Sequence, residues 1–294
     1  MITAVIGVML ALTAYFAVVF FMDYFKTNKE GKLEKGNFLA LGVVGLVANF
    51  FDTLGIGSFA TTSGLYKIFH LSEDRTLPGT LNVSCTIPVV VEAVCFMTVI
   101  KVEPVTLIAM LAAATIGAFF GAGFVSKLDE RKVELGMGVA LIVVAIIMIC
   151  KQVGLMPAGG AAIGLTGGAL IVGVIGNLIL GALMTLGIGL YAPCMALVFA
   201  LGMSPKVAFP IMMGSCAFLM PVASAKFVKE GAYDRKASLA TVIFGTVGVL
   251  IAVYVVKSLP LNVLTWVVIV VVAYTAILML RSAQKHVKPV ESSI

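Results

Sequence analysis

Two carboxylates, Asp52 and Glu92, stand inside stretches that are otherwise apolar. An acid at membrane depth is costly unless it faces a protein interior or a water path, and such residues mark ion and proton routes. Asp52 directly precedes Thr53-Leu54-Gly55-Ile56-Gly57, and that pentapeptide recurs letter for letter as Thr185-Leu186-Gly187-Ile188-Gly189. Laid without a gap, residues 53–78 and 185–210 agree at 9 of 26 positions, among them Ala60/Ala192, Leu65/Leu197, Ser72/Ser204 and Pro78/Pro210. Upstream, Gly42-Val43-Val44-Gly45 echoes Gly173-Val174-Ile175-Gly176. Glycine-interrupted apolar segments at matching places in two halves point to a transporter's binding site. Broken backbone survives in a bilayer only where it is buried in protein or lines a polar cavity.

The chemistry this pattern suits is anion capture. A helix that breaks presents unpaired N–H groups and a positive dipole end at the start of its second half. Thr53, Gly55, Ile56 and Gly57 in the first copy, and Thr185, Gly187, Ile188 and Gly189 in the second, are therefore the candidate substrate ligands. Ser58, Thr61 and Thr62 follow the first break and Tyr191 the second, and their hydroxyls suit an oxyanion. Asn82, Ser84 and Ser215 begin the helices that follow and would close the same cavity. Two plainer readings compete: glycines that only permit close packing, and hydroxyls that bond back to their own helix. Asp52 has Met184 at its place in the second copy. It is the leading candidate for proton coupling and Glu92 the second; the alternative for Asp52 is a hydrogen-bond anchor for the broken helix.

These residues need a membrane scaffold to position them. Of the 294 residues, 61% are hydrophobic and 12% charged, half the charge of an ordinary soluble domain. That excludes a soluble fold, and no short alternating strands suggest a barrel. The fold class expected is all-α, a polytopic helical bundle. Apolar runs long enough to cross lie at 3–22, 79–100, 105–126, 134–150, 207–227, 237–256 and 261–280. Two composite segments, 37–71 and 159–203, each carry one TLGIG and are too long for one straight helix. A helix–break–helix hairpin or re-entrant segment is expected in each. The chain divides into an extra first helix with a basic loop (1–36), a first repeat (37–152) and a second repeat with a tail (153–294).

Loop charge gives the topology. If each composite segment returns the chain to its starting side, loops 23–36, 72–78, 127–133 and 226–236 and the C-terminus share one face. That face holds 15 Lys and Arg, against four (Lys101, Lys151, Lys206, Lys257) on the other. A single crossing of each segment gives 13 against 6. The positive-inside rule favours the first arrangement. It puts the N-terminus outside, the C-terminus in the cytoplasm, and makes the repeats inverted. The net charge of +6 is then an orientation signal rather than a nucleic-acid one.

Other features read as scaffold. The five cysteines fall in apolar segments without a CxxC pair, as small buried hydrophobes do. Met1–Phe21 lacks a basic start and a cleavage site, and reads as a retained helix. Gly160, Gly164 and Gly168, and Gly117 with Gly121, form small-residue stripes expected inside the bundle. Leu261–Leu280 has no Gly, Pro or charge and suits a lipid-facing position. Lys67 and Lys226 are expected to snorkel, and His70 to sit at the interface.

Each half reads as G-(V/I)-apolar-G-I-G, a short apolar stretch, Ser-(3–5)-Pro, a helix with small polar residues, then two more helices. This resembles the TauE/SafE family of sulfite and organosulfonate exporters over about residues 37–282. The family pattern commonly continues the glycine run as GxGGG followed by a proline. Here Ser58-Phe59 and Leu190-Tyr191 replace the further glycines; Pro193 is present and Thr61 stands at the first proline's place. The resemblance implies movement of a small, sulfur-containing anion coupled to protons across a bacterial-type cytoplasmic membrane. The expected partners are that anion, protons, the lipid bilayer and a second copy of the chain, with no nucleic acid, cofactor or metal. An anion channel or uniporter, or a non-transporting membrane scaffold or assembly factor, are the alternatives. No HExxH, P-loop or nucleophile–base constellation argues for an enzyme.

Overall fold

The computed structural model describes residues 2–97, 101–156, 160–187, 189–254 and 261–285. Eleven α-helices and no strand occur among them. They are α1 (Ile2–Lys29), α2 (Phe38–Thr53), α3 (Ser58–Ile68), α4 (Leu77–Met97), α5 (Pro104–Val125), α6 (Glu130–Gln152), α7 (Gly167–Met184), α8 (Tyr191–Ala200), α9 (Pro205–Glu230), α10 (Arg235–Tyr254) and α11 (Leu261–Lys285). Seven of these, α1, α4–α7, α9 and α10, are long and apolar enough to cross a membrane. The chain is a multi-pass membrane protein.

Both composite segments are helix–break–helix hairpins. The 16 residues of α2 and 11 of α3 give rods of about 24 and 16 Å, short of a 30 Å hydrocarbon core. Residues 33–35 before α2, Tyr66 and Lys67 at the end of α3 and residues 70–74 after it line one polar cavity of about 650 Å³, together with Glu130, Tyr233, Asp234 and Arg235. The first hairpin therefore opens on the face that carries the loops before α6 and α10. The second hairpin also returns to its start. Gly160 N–H donates to the Met203 carbonyl (2.9 Å) and Ser204 N–H to that of Ala162 (2.8 Å). Glu103 N–H, in the loop after α4, donates to the Ile163 carbonyl (2.9 Å), which places this opening at the opposite face. The two hairpins thus point towards each other from the two ends of the bundle.

Packing follows the same exchange. α2 lies on α10 and α5 on α7, α4 on α10 and α5 on α9, while α4 meets α9 and α6 meets α11. Swapping the halves (α2 for α7, α4 for α9, α5 for α10, α6 for α11) carries this set of pairs onto itself. Glycines set the closest crossings. A methyl group at Gly117 would overlap the Leu178 carbonyl oxygen, and one at Gly121 would lie 2.6 Å from the Thr185 hydroxyl. On the equivalent crossing, one at Gly248 would overlap the Leu46 carbonyl oxygen. In lipid, where apolar burial does not drive helices together, such backbone contact is the main attraction.

The stripe expected from Gly160, Gly164 and Gly168 is not helical throughout. Only Gly168 lies in a helix, and a methyl there would meet open space. Gly160 and Gly164 instead let the 160–166 loop lie on Gly202 and Glu103; the spacing of four was a loop coincidence. The last helix is also only half lipid-facing. Ile269, Val272, Ala276, Met279 and Ala283 are buried at alternating steps of three and four, while Val270, Tyr274 and Ile277 are exposed.

The first helix packs on α9 and α4 through Met9, Phe16 and Phe20. Arg235 ties its end down, donating to Asp23 (2.7 Å) and Glu34 (2.9 Å), with Tyr233 O–H on Asp23 at 2.6 Å.

Candidate functional site

The tips of the two hairpins meet. Asp52, Ile56, Gly57, Ser58, Phe59 and Ala60 from the first, and Met184, Gly189, Leu190, Tyr191 and Ala192 from the second, line one cavity with Val89 of α4, Val144 of α6 and Cys216 of α9. Its volume is about 30 Å³, room for roughly two water molecules and less than an oxyanion of sulfur needs.

Glycine makes the tips possible. Gly55, Gly57, Gly187 and Gly189 all have positive φ, +98° at Gly57 and +100° at Gly187, which side chains rarely tolerate. After each break a new helix starts towards the cavity, at Ser58 and at Tyr191. Neither start has a side-chain cap of its own. At α3 the gap is filled from the preceding helix: Asp52 accepts from Ser58 N–H (2.8 Å) and from Ser58 O–H (2.9 Å). At α8 no acid stands in that place, because Met184 occupies it. The start of α8 therefore has no side-chain acceptor among the described residues.

Glu92 on α4 is fully buried and accepts a hydrogen bond from Tyr191 O–H at 3.0 Å. Asp52 and Tyr191 thus line one cavity, and Glu92 lies behind it, joined to it through Tyr191, a convergence that spacing along the chain did not disclose.

The other expected ligands divide. Thr62 is buried with no partner for its hydroxyl among the described residues. Thr53, Thr61, Thr185 and Ser84 donate to main-chain carbonyls of Asn49, Gly57, Ala182 and Leu81. Their protons are committed to their own helices, so they offer the cavity no donor. Gly55, Gly187, Asn82 and Ser215 do not line it either. Asn82 donates to the Pro78 carbonyl, and Ser215 accepts from Asn177. Ile188 lies outside the described residues.

Sequence reasoning missed two buried asparagines on the broken helices. Asn49 on α2 donates to the Gly45 carbonyl (2.8 Å). Asn177 on α7 donates to the Met110 carbonyl (2.8 Å) and to Ser215 (2.9 Å). A lone amide in an otherwise apolar helix was the available signal. Lys67 does not snorkel: it is paired with Asp74 and, at 3.5 Å, with Glu134, which ties the end of α3 to α6. Lys226 lies over the Phe119 ring, 4.5 Å from its centre. All five cysteines are free thiols.

No curated protein and no solved structure matches the chain. A family model described as Sulfite exporter TauE/SafE matches residues 1–148 and 169–293. The match takes in the first helix, which the motif-based resemblance had left outside. With nearly the whole length covered, the chain belongs to the TauE/SafE sulfite exporter family of membrane proteins.

Proposed function

We propose that the protein is a secondary transporter that moves a small sulfur-containing anion (sulfite, thiosulfate or an organosulfonate) across the cytoplasmic membrane, coupled to protons. The observation that carries this is the cavity where two oppositely directed hairpins meet, with the N-terminus of α8 and Asp52 on its wall and Glu92 bonded to Tyr191 behind it. Helix N-terminal amides hold an anion without a full positive charge, so release costs little. The substrate ligands in this reading are the main-chain amides of Gly57 and of residues 189–191, with Thr62 as a reserve donor.

A cavity of about 30 Å³ corresponds to a closed conformation. Alternating access then requires the halves to rock about the α4–α9 contact, opening the cavity first to one face and then to the other. The paired packing of the helices supports an inverted repeat. The excess of Lys and Arg on the face of loops 23–36, 72–78, 127–133 and 226–236 makes that face cytoplasmic and puts the N-terminus outside.

Flux into proteoliposomes tests the proposal. Labelled sulfite, thiosulfate and a panel of small sulfonates are offered with and without an imposed pH gradient. Accumulation that collapses with the gradient is the expected result. Flux indifferent to pH makes the protein a uniporter or channel, and no flux of any sulfur anion ends the substrate assignment.

A further inference from the structure

We infer that the two acids divide the work: Asp52 is a structural helix cap, and Glu92, bonded to Tyr191 across the halves, is the site whose proton admits the anion. The inference rests on the transport reading above.

Their hydrogen bonds differ in kind. Asp52 uses both oxygens on Ser58, six residues away in the same hairpin. Its charge sits at the N-terminus of α3, where the helix end favours it. Rocking one half against the other leaves that arrangement intact. Glu92 has one donor, the Tyr191 hydroxyl, while its Oε1 has no partner among the described residues. That single bond joins α4 of the first half to the first residue of α8 in the second. Any opening between the halves must stretch or break it.

Glu92 touches Tyr191 of α8 and interacts electrostatically with Asp52 of α2, Cys216 of α9 and Cys95 of its own helix; among the described residues no Lys, Arg or His joins this group. Two buried carboxylates without a cation cannot both keep their charge. Asp52 has two donors and a helix end; Glu92 has a phenol. The proton therefore rests on Glu92. An ionised Glu92 one hydrogen bond from Tyr191 would repel an anion at the amides of α8, and a neutral one would not. Anion and proton consequently occupy the site together and travel in the same direction.

The test uses labelled methanesulfonate, whose charge does not change near neutrality, and the full chain in proteoliposomes with the outside more acidic. One proton per monovalent anion gives about tenfold accumulation per pH unit. Glu92→Gln is neutral at every pH, and its steady-state ratio is expected to fall to near one. Asp52→Asn should still accumulate in proportion to the gradient, whatever its rate. Gradient-driven accumulation by Glu92→Gln, or its loss in Asp52→Asn alone, would overturn the inference. A second readout needs no transport. The infrared band of a buried protonated carboxyl should be present in the wild type, absent in Glu92→Gln and shifted in Tyr191→Phe. A band that persists in Glu92→Gln overturns the assignment. If the wild type moves no sulfur anion, the transport reading fails by itself and the infrared band alone decides where the proton sits.

Discussion

Asp52 and Ser58 close the first hairpin tip on themselves: one carboxylate oxygen takes the Ser58 amide at 2.8 Å and the other its hydroxyl at 2.9 Å. The residues are 2% and 3% exposed, so bulk water does not reach either bond. Asp52→Ala leaves a buried amide and a buried hydroxyl without an acceptor, at a cost of about 1–3 kcal/mol. Ser58→Ala removes only the hydroxyl bond and should cost about 1 kcal/mol. Thermal unfolding in detergent ranks the two; equal losses would mean that the amide bond contributes nothing.

Gly57 isolates the backbone requirement of the break. Space around it is open, with no atom within 4 Å of an added methyl, but its φ is +98°. Gly57→Ala should therefore destabilise by about 1–3 kcal/mol through conformation alone. Gly168 also has open space, stands in the first turn of α7 and has no positive φ. Gly168→Ala should be neutral or stabilising by up to about 1 kcal/mol. A similar loss from both variants would contradict the broken-helix geometry.

Removing Lys67 tests the cluster at the hairpin's open end. Its ammonium lies between Asp74 and Glu134, with side chains 10% and 1% exposed. Lys67→Met leaves Asp74 and Glu134 without their cation and should cost about 3 kcal/mol. The triple variant that also carries Asp74→Asn and Glu134→Gln should recover most of the loss. Failure of that rescue would show that the lysine acts by packing and not by charge.

Asp234, in the loop before α10, gives a pH signature. Burial pushes its carboxyl from the ordinary 3.8 up to about 6, against the Ala237 amide that it caps, with Glu34 adding to the rise. The folded protein therefore binds a proton that the unfolded chain has already lost between these values. Stability falls as pH rises from about 4 to 6, by on the order of 3 kcal/mol, and is flat beyond. Asp234→Asn keeps a capping oxygen without the charge. It should unfold at a higher temperature than the wild type at pH 7 and match it near pH 4. Parallel curves for the two proteins would refute this origin.

Much of the scaffold was legible because the bilayer imposes it. Length, apolarity and loop charge follow from the need to satisfy backbone groups inside helices and to keep Lys and Arg on one face. The duplicated TLGIG marked both breaks because only glycine supplies φ near +100° within an apolar run. The 160–168 glycines misled because spacing by four is meaningful only where a helix exists, and residues 160–166 are a loop lying on Gly202 and Glu103. Thr53, Thr61, Ser84 and Thr185 misled because a hydroxyl's type does not say whether its proton faces a cavity or the carbonyl one turn back.

What the sequence determined by itself is local: which segments are helical and apolar, where glycine lets them break, and that the two halves resemble each other. These follow from residue type and near neighbours. Tertiary structure alone decided that the two tips share a cavity, that Glu92 reaches Tyr191, 99 positions away, and that Asn177 bridges α5 and α9. Those contacts depend on how helices of opposite direction pack, which is set by backbone approach at a few glycines and not by any pattern along the chain.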